Sequence, residues 1–452
     1  MGIESRHPSY MYYADAMVDC RNAFEGSRAI KAARERYLPG LSGQTAQEYN
    51  AYLTRALFFS ITRKTVDALV GMVMARTPIT KGTEGMESYF VENQGAQFLE
   101  IISTTIQEVL LEGGYGILID APEGGGEPSF ARYARESIIN WRVDDFGNPT
   151  MVVLEETVFR QKADDEYEFE GVKQFRRLAL EGGIYTIRVF NDKKEEFSSV
   201  VPTVNGRPLG YIPFYLINPL GVSMEVHRPP MMDIVDLNLS HYRTSADLEH
   251  GRHFTGLPTP VISGVEAGTE LHIGSSSAWV LPDSQGKAYY LEFTGQGLQS
   301  LEKALTEKQS QMASMSARLL DNSKRGSEAA ETVKLRYMSE TSALVTVVRS
   351  VEEGINKIYG VVAQMKGVPE PTIQMNKEFM DPKLSAQEIT ALTNSYLEGA
   401  ISKETLIYNL RKGDVISPAR TDEEEIATLE QREAERRAAE AAARTRISSS
   451  ST

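Results

Sequence analysis

The densest group of residues that could perform chemistry is Asp247, His250 and His253, in a segment with helical periodicity. Residues three or four positions apart are neighbours on a helix surface, so the carboxylate and the two imidazoles fall near one face. Such a set could hold a divalent metal, and a metal-dependent hydrolase is therefore one hypothesis for the function. A third strong ligand and an acid–base partner do not lie nearby in the sequence, which favours surface or interface histidines instead.

Other catalytic signatures are absent from the sequence. It contains no GxxxxGK[ST] phosphate loop, no GxSxG nucleophile elbow and no HExxH zinc motif. The run Gly124-Gly125-Gly126 is followed by neither Lys-Ser nor Lys-Thr, so it indicates a flexible loop. A single cysteine, Cys20, excludes an internal disulfide framework and any zinc site built from cysteines. We therefore expect no enzymatic activity, no metal and no cofactor.

A further hypothesis is a DNA-binding protein. Residues 385–400 and 403–410 have helical patterns separated by a short turn, as in a helix-turn-helix. The second helix would read the groove with Lys403, Tyr408, Asn409, Arg411 and Lys412. Residues 422–425 are all acidic, which disfavours contact with a phosphate backbone.

The composition is that of a globular protein with an acidic balance. Of 452 residues, 41% are apolar and 24% charged, and the net charge is −14. An acidic chain does not grip nucleic acid through its overall charge, although DNA could slide past it without sticking. No stretch of about 18 apolar residues occurs, and residues 1–10 lack the apolar core of a signal peptide. We therefore expect no membrane span and residence in the cytoplasm after synthesis.

The elements that would position these residues follow from hydrophobic periodicity and from turn residues. They predict an α+β protein without internal repeats. The expected order is a helix at 46–76, a helix at 95–111, a strand at 115–119, an antiparallel β-rich unit at 130–217 with strands that include 166–171 and 174–180, a helix at 231–253, a small β unit at 257–294, a helix at 298–320, a polar loop at 321–332, a helix at 333–366, a strand at 372–379, and helices from 385 with a charged segment at 421–446 and a disordered end.

Several local segments also occur in a characteristic order. They are LEGGYGILID at 111–120, RESIINWR at 135–142, GYIPF at 210–214, PPMMDIVDLNL at 229–239, HFTGLPTP at 253–260 and AWVLP at 278–282. In this order the chain resembles the portal proteins of tailed phages, within a group known only as a domain of unknown function. The resemblance extends from about residue 49 to 379 and is weakest from about residue 384. None of the segments is a catalytic motif, so the specificity lies in their number and order.

The resemblance implies a portal-type fold in a ring, usually of twelve subunits, at one capsid vertex. It would have an outer wing, a helical stem, a small β-containing clip and a helical crown. Carried over to this sequence, the parts are the wing at 1–227, stem helices at 228–254 and 297–320, the clip at 255–296, a tunnel loop at 321–334, a long wing helix with a strand at 335–383, and the crown with a disordered tail at 384–452.

Three sets of residues become candidate sites on this map. The tunnel loop would contact DNA through Asn322, Lys324 and Arg325. The clip would meet partner proteins or neighbouring subunits through Trp279, Tyr289 and Tyr290. The stem would pack between subunits through Met231, Ile234, Leu237 and Tyr242.

The resemblance also implies the partners and the location of the protein. It would be a structural protein of a bacteriophage virion, a homo-oligomer in the form of a dodecamer that serves DNA packaging and ejection. Its partners would be double-stranded DNA in the channel, the terminase large subunit, head-completion, neck or tail proteins, and the major capsid and scaffold proteins. The protein would lie at the capsid vertex of the virion, and in the host cytoplasm during assembly.

Overall fold

The computed structural model describes residues 2–90, 93–120, 127–162, 165–256, 259–264, 285–291, 296–316, 330–377, 379, 386–412, 415, 427–428 and 431. Helices and strands are both abundant in these residues, which confirms the predicted α+β class. The chain divides into two compact units, Met1–Lys377 and Glu378–Thr452.

The helices and strands of the described residues are numbered in chain order. The helices are α1 (Pro8–Glu25), α2 (Ser27–Ala32), α3 (Ala46–Arg55), α4 (Ile61–Met74), α5 (Glu87–Phe90), α6 (Asn93–Glu112), α7 (Met232–Thr255), α8 (Gln296–Ser316), α9 (Ala330–Lys366), α10 (Ala386–Leu397) and α11 (Lys403–Lys412). The strands are β1 (Ile79–Lys81), β2 (Tyr115–Asp120), β3 (Ser129–Ala134), β4 (Ile138–Val143), β5 (Pro149–Lys162), β6 (Asp165–Glu181), β7 (Ile184–Phe190), β8 (Glu196–Val200), β9 (Thr203–Val204), β10 (Arg207–Pro208), β11 (Phe214–Asn218), β12 (Gly221–Val222), β13 (Thr259–Ser263), β14 (Lys287–Leu291) and β15 (Thr372–Gln374).

A helical layer is built around α6, whose Ile102, Ile106 and Val109 are fully buried. Helix α1, which lies before the first element expected from the sequence at residue 46, packs against α6. Arg21 of α1 donates to Glu112 of α6 over 2.8 Å. It also pairs with Glu108, so that two carboxylates share one guanidinium. Burial raises the pKa of Glu112 to about 7, because the ionised carboxylate is poorly solvated there and lies near other acidic groups.

The predicted helix over residues 46–76 is wrong in one respect, because the structure divides it into α3 and α4. The chain is extended at Ala56, where α3 ends, and α4 starts at Ile61. Asn238 of α7 maintains this break, since its amide donates to the backbone oxygen of Phe59 over 2.8 Å. The same side chain accepts from the hydroxyl of Thr62 over 3.0 Å. A continuous periodic pattern carries no information about such a distant contact.

The β-rich unit contains two antiparallel sheets. One has the strand order β4-β5-β6-β7-β8 and the other has β12-β11-β2-β3. The two strands predicted at 166–171 and 174–180 are one strand, β6, paired along its length with β5. Gly171 lies within this strand, directly opposite Phe159 in the ladder. The inner faces of the sheets form a core around the buried Trp141, Leu178 and Tyr185.

Helix α9 crosses the second sheet at β11 and β12. Gly354 permits the close approach, because a Cβ atom there would lie 2.4 Å from two side-chain atoms of Ile217. Ser350 donates to the backbone oxygen of Gly221 over 3.0 Å. The strand predicted at 372–379 is shorter, Thr372–Gln374, and it pairs with β1.

The second unit, taken by itself, contains α10 and α11, near the positions predicted for the first two C-terminal helices. Leu406 and Ile407 of α11 are buried. Ser402 caps α11, since its hydroxyl accepts from the backbone N–H of Thr405 over 3.2 Å. Most of the charged segment predicted to be helical at 421–446 lies outside the described residues, as does the end at 448–452.

Candidate functional site

Helix α7 is the central element of the candidate site. It has 24 residues, which gives a length of about 36 Å. Its start is anchored in the helical layer, where the backbone N–H of Met231 donates to the backbone oxygen of Leu110 over 3.2 Å. The two prolines at 229 and 230 lie immediately before this helix, where a missing N–H costs little.

Helix α8 returns antiparallel along α7, and the contacts at the start of α8 establish this direction. A Cβ atom at Gly251 would lie 2.5 Å from Cδ2 of Leu298, so the glycine allows the two helices to approach closely. One turn further along α8, Glu302 accepts from Arg252 over 2.9 Å. Arg252 also pairs with Glu249 of its own helix, so the guanidinium bridges both helices.

The contacts towards the end of α8 continue the same register. Lys308 donates to the hydroxyl of Thr244 over 2.6 Å and to the backbone oxygen of Ser240 over 3.2 Å. The side chains of Gln309 and His241 meet at 3.1 Å. Burial lowers the pKa of His241, and the nearby Lys308 lowers it further, so the imidazole is neutral at pH 7. The helix pair is therefore held by polar contacts along its length.

A strand pair lies at the far end of these two helices. Strands β13 and β14 are antiparallel, with Val261 opposite Tyr289 and Pro260 opposite Tyr290. They agree with two of the predicted clip strands, at 260–263 and 288–293. Tyr289 is exposed. Trp279 lies outside the described residues.

Three of the four predicted intersubunit positions of the stem lie inside the single chain. Met231, Ile234 and Tyr242 are buried within a single chain, so they have little surface to offer a neighbouring subunit. Tyr242 packs its ring edge to face against Phe58, 5.8 Å between centroids. Their apolar character reflects the packing of α7 against the chain's own helices. Leu237 is partly exposed and is the position of this set that still has surface available.

The candidate metal ligands are occupied by protein partners. Asp247 accepts a hydrogen bond from the Tyr52 hydroxyl over 2.5 Å. The guanidinium of Arg55 lies 3.0 Å from Nε2 of His253, where its charge would repel a cation. The pKa of His250 is lowered by burial and then by Arg55. Within the described ranges, no group of three His, Cys, Asp or Glu side chains could hold a metal ion.

The helix-turn-helix candidate corresponds to α10 and α11, which contact each other. Tyr408 is exposed on α11. The amide of Asn409 donates to the backbone oxygen of Thr405 in the same helix over 2.7 Å. The side chains of Arg411 and Lys412 are outside the described part of the chain.

The tunnel-loop candidates Asn322, Lys324 and Arg325 also lie outside the described residues. What the structure describes on either side is the end of α8 at Ser316 and the start of α9 at Ala330. Sequence reasoning missed Asn238, which ties α7 to the segment between α3 and α4. The signal available in the sequence was an amide side chain placed between apolar residues of a predicted helix.

Comparisons with known proteins give a family match to part of the chain. Residues 230–365 match the model of a family described as a domain of unknown function, DUF4055. The matched segment contains α7, the strand pair, α8 and nearly all of α9. This match confirms the resemblance to a group known only as a domain of unknown function. No curated protein matches the chain.

Solved structures of gene transfer agent (GTA) particles contain similar chains. A chain in the neck of an empty GTA particle is 13% identical, with a TM-score of 0.43 over 85% of this chain and 98% of that one. A chain in the virion of a native particle is 12% identical, with a TM-score of 0.42 over 84% and 98%. A chain in a native neck computed with C12 symmetry is 12% identical, with a TM-score of 0.38 over 85% and 98%.

Among the described residues, no helix combines the length and the apolar character needed to cross a membrane.

Proposed function

We propose that the chain is the subunit of a portal, a ring at one capsid vertex through which double-stranded DNA is packaged and ejected. The observation that carries the proposal is the path of residues 230–365. They run outward along α7, through the strand pair, back along α8 and into the long helix α9. This is the order of stem, clip, stem and wing helix that the sequence resemblance implies, and it falls within the family match.

The helix pair has the surface properties that the stem of a DNA channel requires. One side of α7 packs against α3 and α4 of the body, and α8 covers another side. The outward side of α8 is polar and includes Ser300 and Ser310. Lys303 and Glu307 on this side lie 3.9 Å apart and largely balance each other. A polar surface with little net charge lets DNA pass without being held.

The strand pair is suited to protein docking because it lies where the two helices end. Its exposed Tyr289 offers an aromatic contact of the kind that is enriched at interfaces. In the proposed portal, this clip with Trp279, Tyr289 and Tyr290 binds the terminase large subunit during packaging. It later binds head-completion, neck or tail proteins.

The tunnel loop supplies the proposed contact with DNA. It connects α8 to α9, and its Asn322, Lys324 and Arg325 would form a ring of polar and positive groups around the channel when the subunits assemble. Lys and Arg are the side chains that bind phosphate oxygens most strongly. The remaining parts of the proposal are a wing built from 1–227 with 335–383 and a helical crown from 384 onward.

The proposed assembly is a dodecamer in the virion that also contacts major capsid and scaffold proteins while it forms in the host cytoplasm. Its location can be tested by producing the chain, carrying a small C-terminal tag, together with its capsid proteins. Labelled antibody and electron microscopy of the particles should find the tag at one vertex of each particle. Label on many vertices, or particles that package DNA normally without the chain, would contradict the proposal.

A further inference from the structure

Helices α3 and α7 meet through side chains that can titrate. Tyr52 of α3 donates to Asp247 over 2.5 Å. Further along both helices, Arg55 contacts His253 over 3.0 Å, so the two helices run parallel here. Between these contacts the ring of Tyr52 packs edge to face against His250, with 5.1 Å between centroids. The proposed function uses neither histidine.

The contact between Arg55 and His253 fixes the protonation state of the imidazole. A guanidinium has only N–H donors and no acceptor, and it keeps its proton in proteins. At 3.0 Å from this donor, Nε2 of His253 must accept, so it carries no proton. A protonated imidazole has an N–H on both ring nitrogens, and two donors would then face each other. The contact therefore exists only while His253 is neutral.

Arg55 depends on this imidazole for its position. In the described part of the chain its guanidinium forms no ion pair with a carboxylate, whereas Arg21 and Arg36 each do. The side chains of Arg55 and His253 are both partly buried. Loss of the contact leaves a charged donor without its acceptor at a place that water reaches only in part, which is costly. The end of α3 is therefore held more firmly to α7 while His253 is neutral.

The carboxylates on α3, α7 and α8 near the two histidines already have partners. They are Glu48 with the backbone N–H of Thr45, Asp247 with Tyr52, and Glu249 and Glu302 with Arg252. Burial lowers the pKa of His250 and the charge of Arg55 lowers it further, while Asp247 acts in the opposite direction. Protonation of both imidazoles would place two new positive charges beside Arg55.

The chain after Arg55 returns along α7 to a second contact, which does not titrate. Asn238 donates to the backbone oxygen of Phe59 over 2.8 Å. Positions 238 and 253 are about four turns apart on α7, or about 22 Å. Residues 56–60 are therefore held at both ends. A neutral amide holds the far end at every pH, whereas the near end depends on His253.

We propose that the contact of Arg55 with His253 is an acid-sensitive latch between α3 and α7. The latch is closed at neutral pH. Protonation of His253 and His250 opens it and releases the end of α3 together with the first residues of the 56–60 segment. This device belongs to the single chain and goes beyond the proposed function. In the proposed portal it would lie at the joint between the wing, which contains α3, and the stem, which contains α7.

The pH range of the latch follows from the imidazoles. An unperturbed histidine titrates near pH about 6.5. Because the pKa of His250 is lowered in the closed interface, the open form binds a proton more readily, and the closed form loses stability as pH falls below about 6.5. This direction is opposite to that expected for Glu112, whose pKa is raised. A probe of the α3 end is therefore more decisive than the stability of the whole chain.

Hydrogen exchange of the full chain, resolved to peptides by mass spectrometry, tests the latch. Exchange is measured at about pH 7.5 and about pH 5.5, with labelling times adjusted for the intrinsic exchange rate at each pH. We expect residues 50–58 to exchange at least about fivefold faster at the lower pH, because opening frees the last turn of α3. Residues 344–362 of α9, whose apolar side chains are buried, should keep the same rate at both.

Variants of the histidines identify the group responsible. His253→Gln offers Arg55 an acceptor that does not titrate, so it should lose most of the acid response, and adding His250→Gln should abolish the rest. His253→Lys is charged at both pH values and should exchange rapidly already at neutral pH. His227→Gln is the matched control, because His227 lies before α7 beside Glu225 and should leave the response intact. Circular dichroism verifies that each variant is folded.

The outcomes decide the latch without reference to the portal. Equal exchange of residues 50–58 at both pH values, or an acid response that persists in the variant with both glutamines, overturns it. An acid response that the two glutamines remove and His227→Gln retains supports it. Failure leaves the proposed function standing, because the exchange of α3 does not depend on ring formation.

Discussion

Asn238 is the residue whose removal most directly tests how the central helix is tied to the body. Its side chain is fully buried and bridges α7 to the segment between α3 and α4. It donates to the backbone oxygen of Phe59 over 2.8 Å and accepts from the hydroxyl of Thr62 over 3.0 Å. Asn238→Ala removes both bonds and leaves both partners without this hydrogen bond in a buried environment.

The expected loss of stability follows from these two contacts. Each buried polar group left unsatisfied costs about 1–3 kcal/mol. Alanine returns about 0.5 kcal/mol through its higher helix propensity. For the two partners together, the free energy of unfolding of Asn238→Ala should therefore fall by about 1.5–5.5 kcal/mol. In a double-mutant cycle, Thr62→Val should show a coupling of about 1 kcal/mol with Asn238→Ala, because the two side chains share one bond.

Urea unfolding of the dissociated chain, followed by circular dichroism, measures both quantities. The control is Asn50→Ala, since Asn50 is an exposed helical asparagine that accepts one bond from Arg34. This control should change the free energy of unfolding by no more than about 0.5 kcal/mol. If Asn238→Ala changes it as little as the control does, or the coupling is zero, then the amide does not hold the helix break.

Three other predictions concern the core, the pH dependence and DNA. Gly354→Val should lower the thermal midpoint by several degrees in a melting experiment, because its side chain would collide with the strand beneath α9; an unchanged midpoint would refute the close approach. The raised pKa of Glu112 means that this carboxyl ionises at a lower pH in the unfolded chain than in the folded one, so the stability of the fold should decrease as pH rises from about 4.5 to about 7. Glu112→Gln should flatten this slope in pH-dependent melting, while Arg21 keeps its bond to Glu108. A slope that does not change would mean that another group causes the pH dependence. Replacing Lys324 and Arg325 with alanine should leave rings intact and lower the amount of DNA retained per particle, whereas full retention would exclude a role in holding DNA.

The sequence predicts elements well where one local pattern decides them. Helix α7 was expected at 231–253 and extends over Met232–Thr255. Sequence patterns fail where a contact with a residue far along the chain determines the local structure. The break between α3 and α4 depends on Asn238, far along the chain. Strand β6 continues through Gly171 because it pairs with β5 on both sides of this residue. Helix α1 was missed because apolar residues occur all round it, with Met11, Tyr12 and Val18 exposed, so that no single apolar stripe marks the helix.

The same distinction between local patterns and distant contacts applies to the candidate site. The order of stem helices and clip strands could be inferred from prolines, glycines and periodicity. The buried state of Met231, Ile234 and Tyr242 could not, because an apolar stripe does not reveal whether it faces its own chain or a neighbour. The spacing of Asp247 and His253 suggested a metal site, whereas folding brings Tyr52 and Arg55 against them.

The mass and shape of the purified protein test the portal proposal most directly. Light scattering should give about 600 kDa for a ring of twelve chains of 50.2 kDa. Negative-stain images of the same sample should show rings with a central hole. A chain that remains a monomer or dimer at high concentration, and also in the presence of its capsid proteins, would contradict the account.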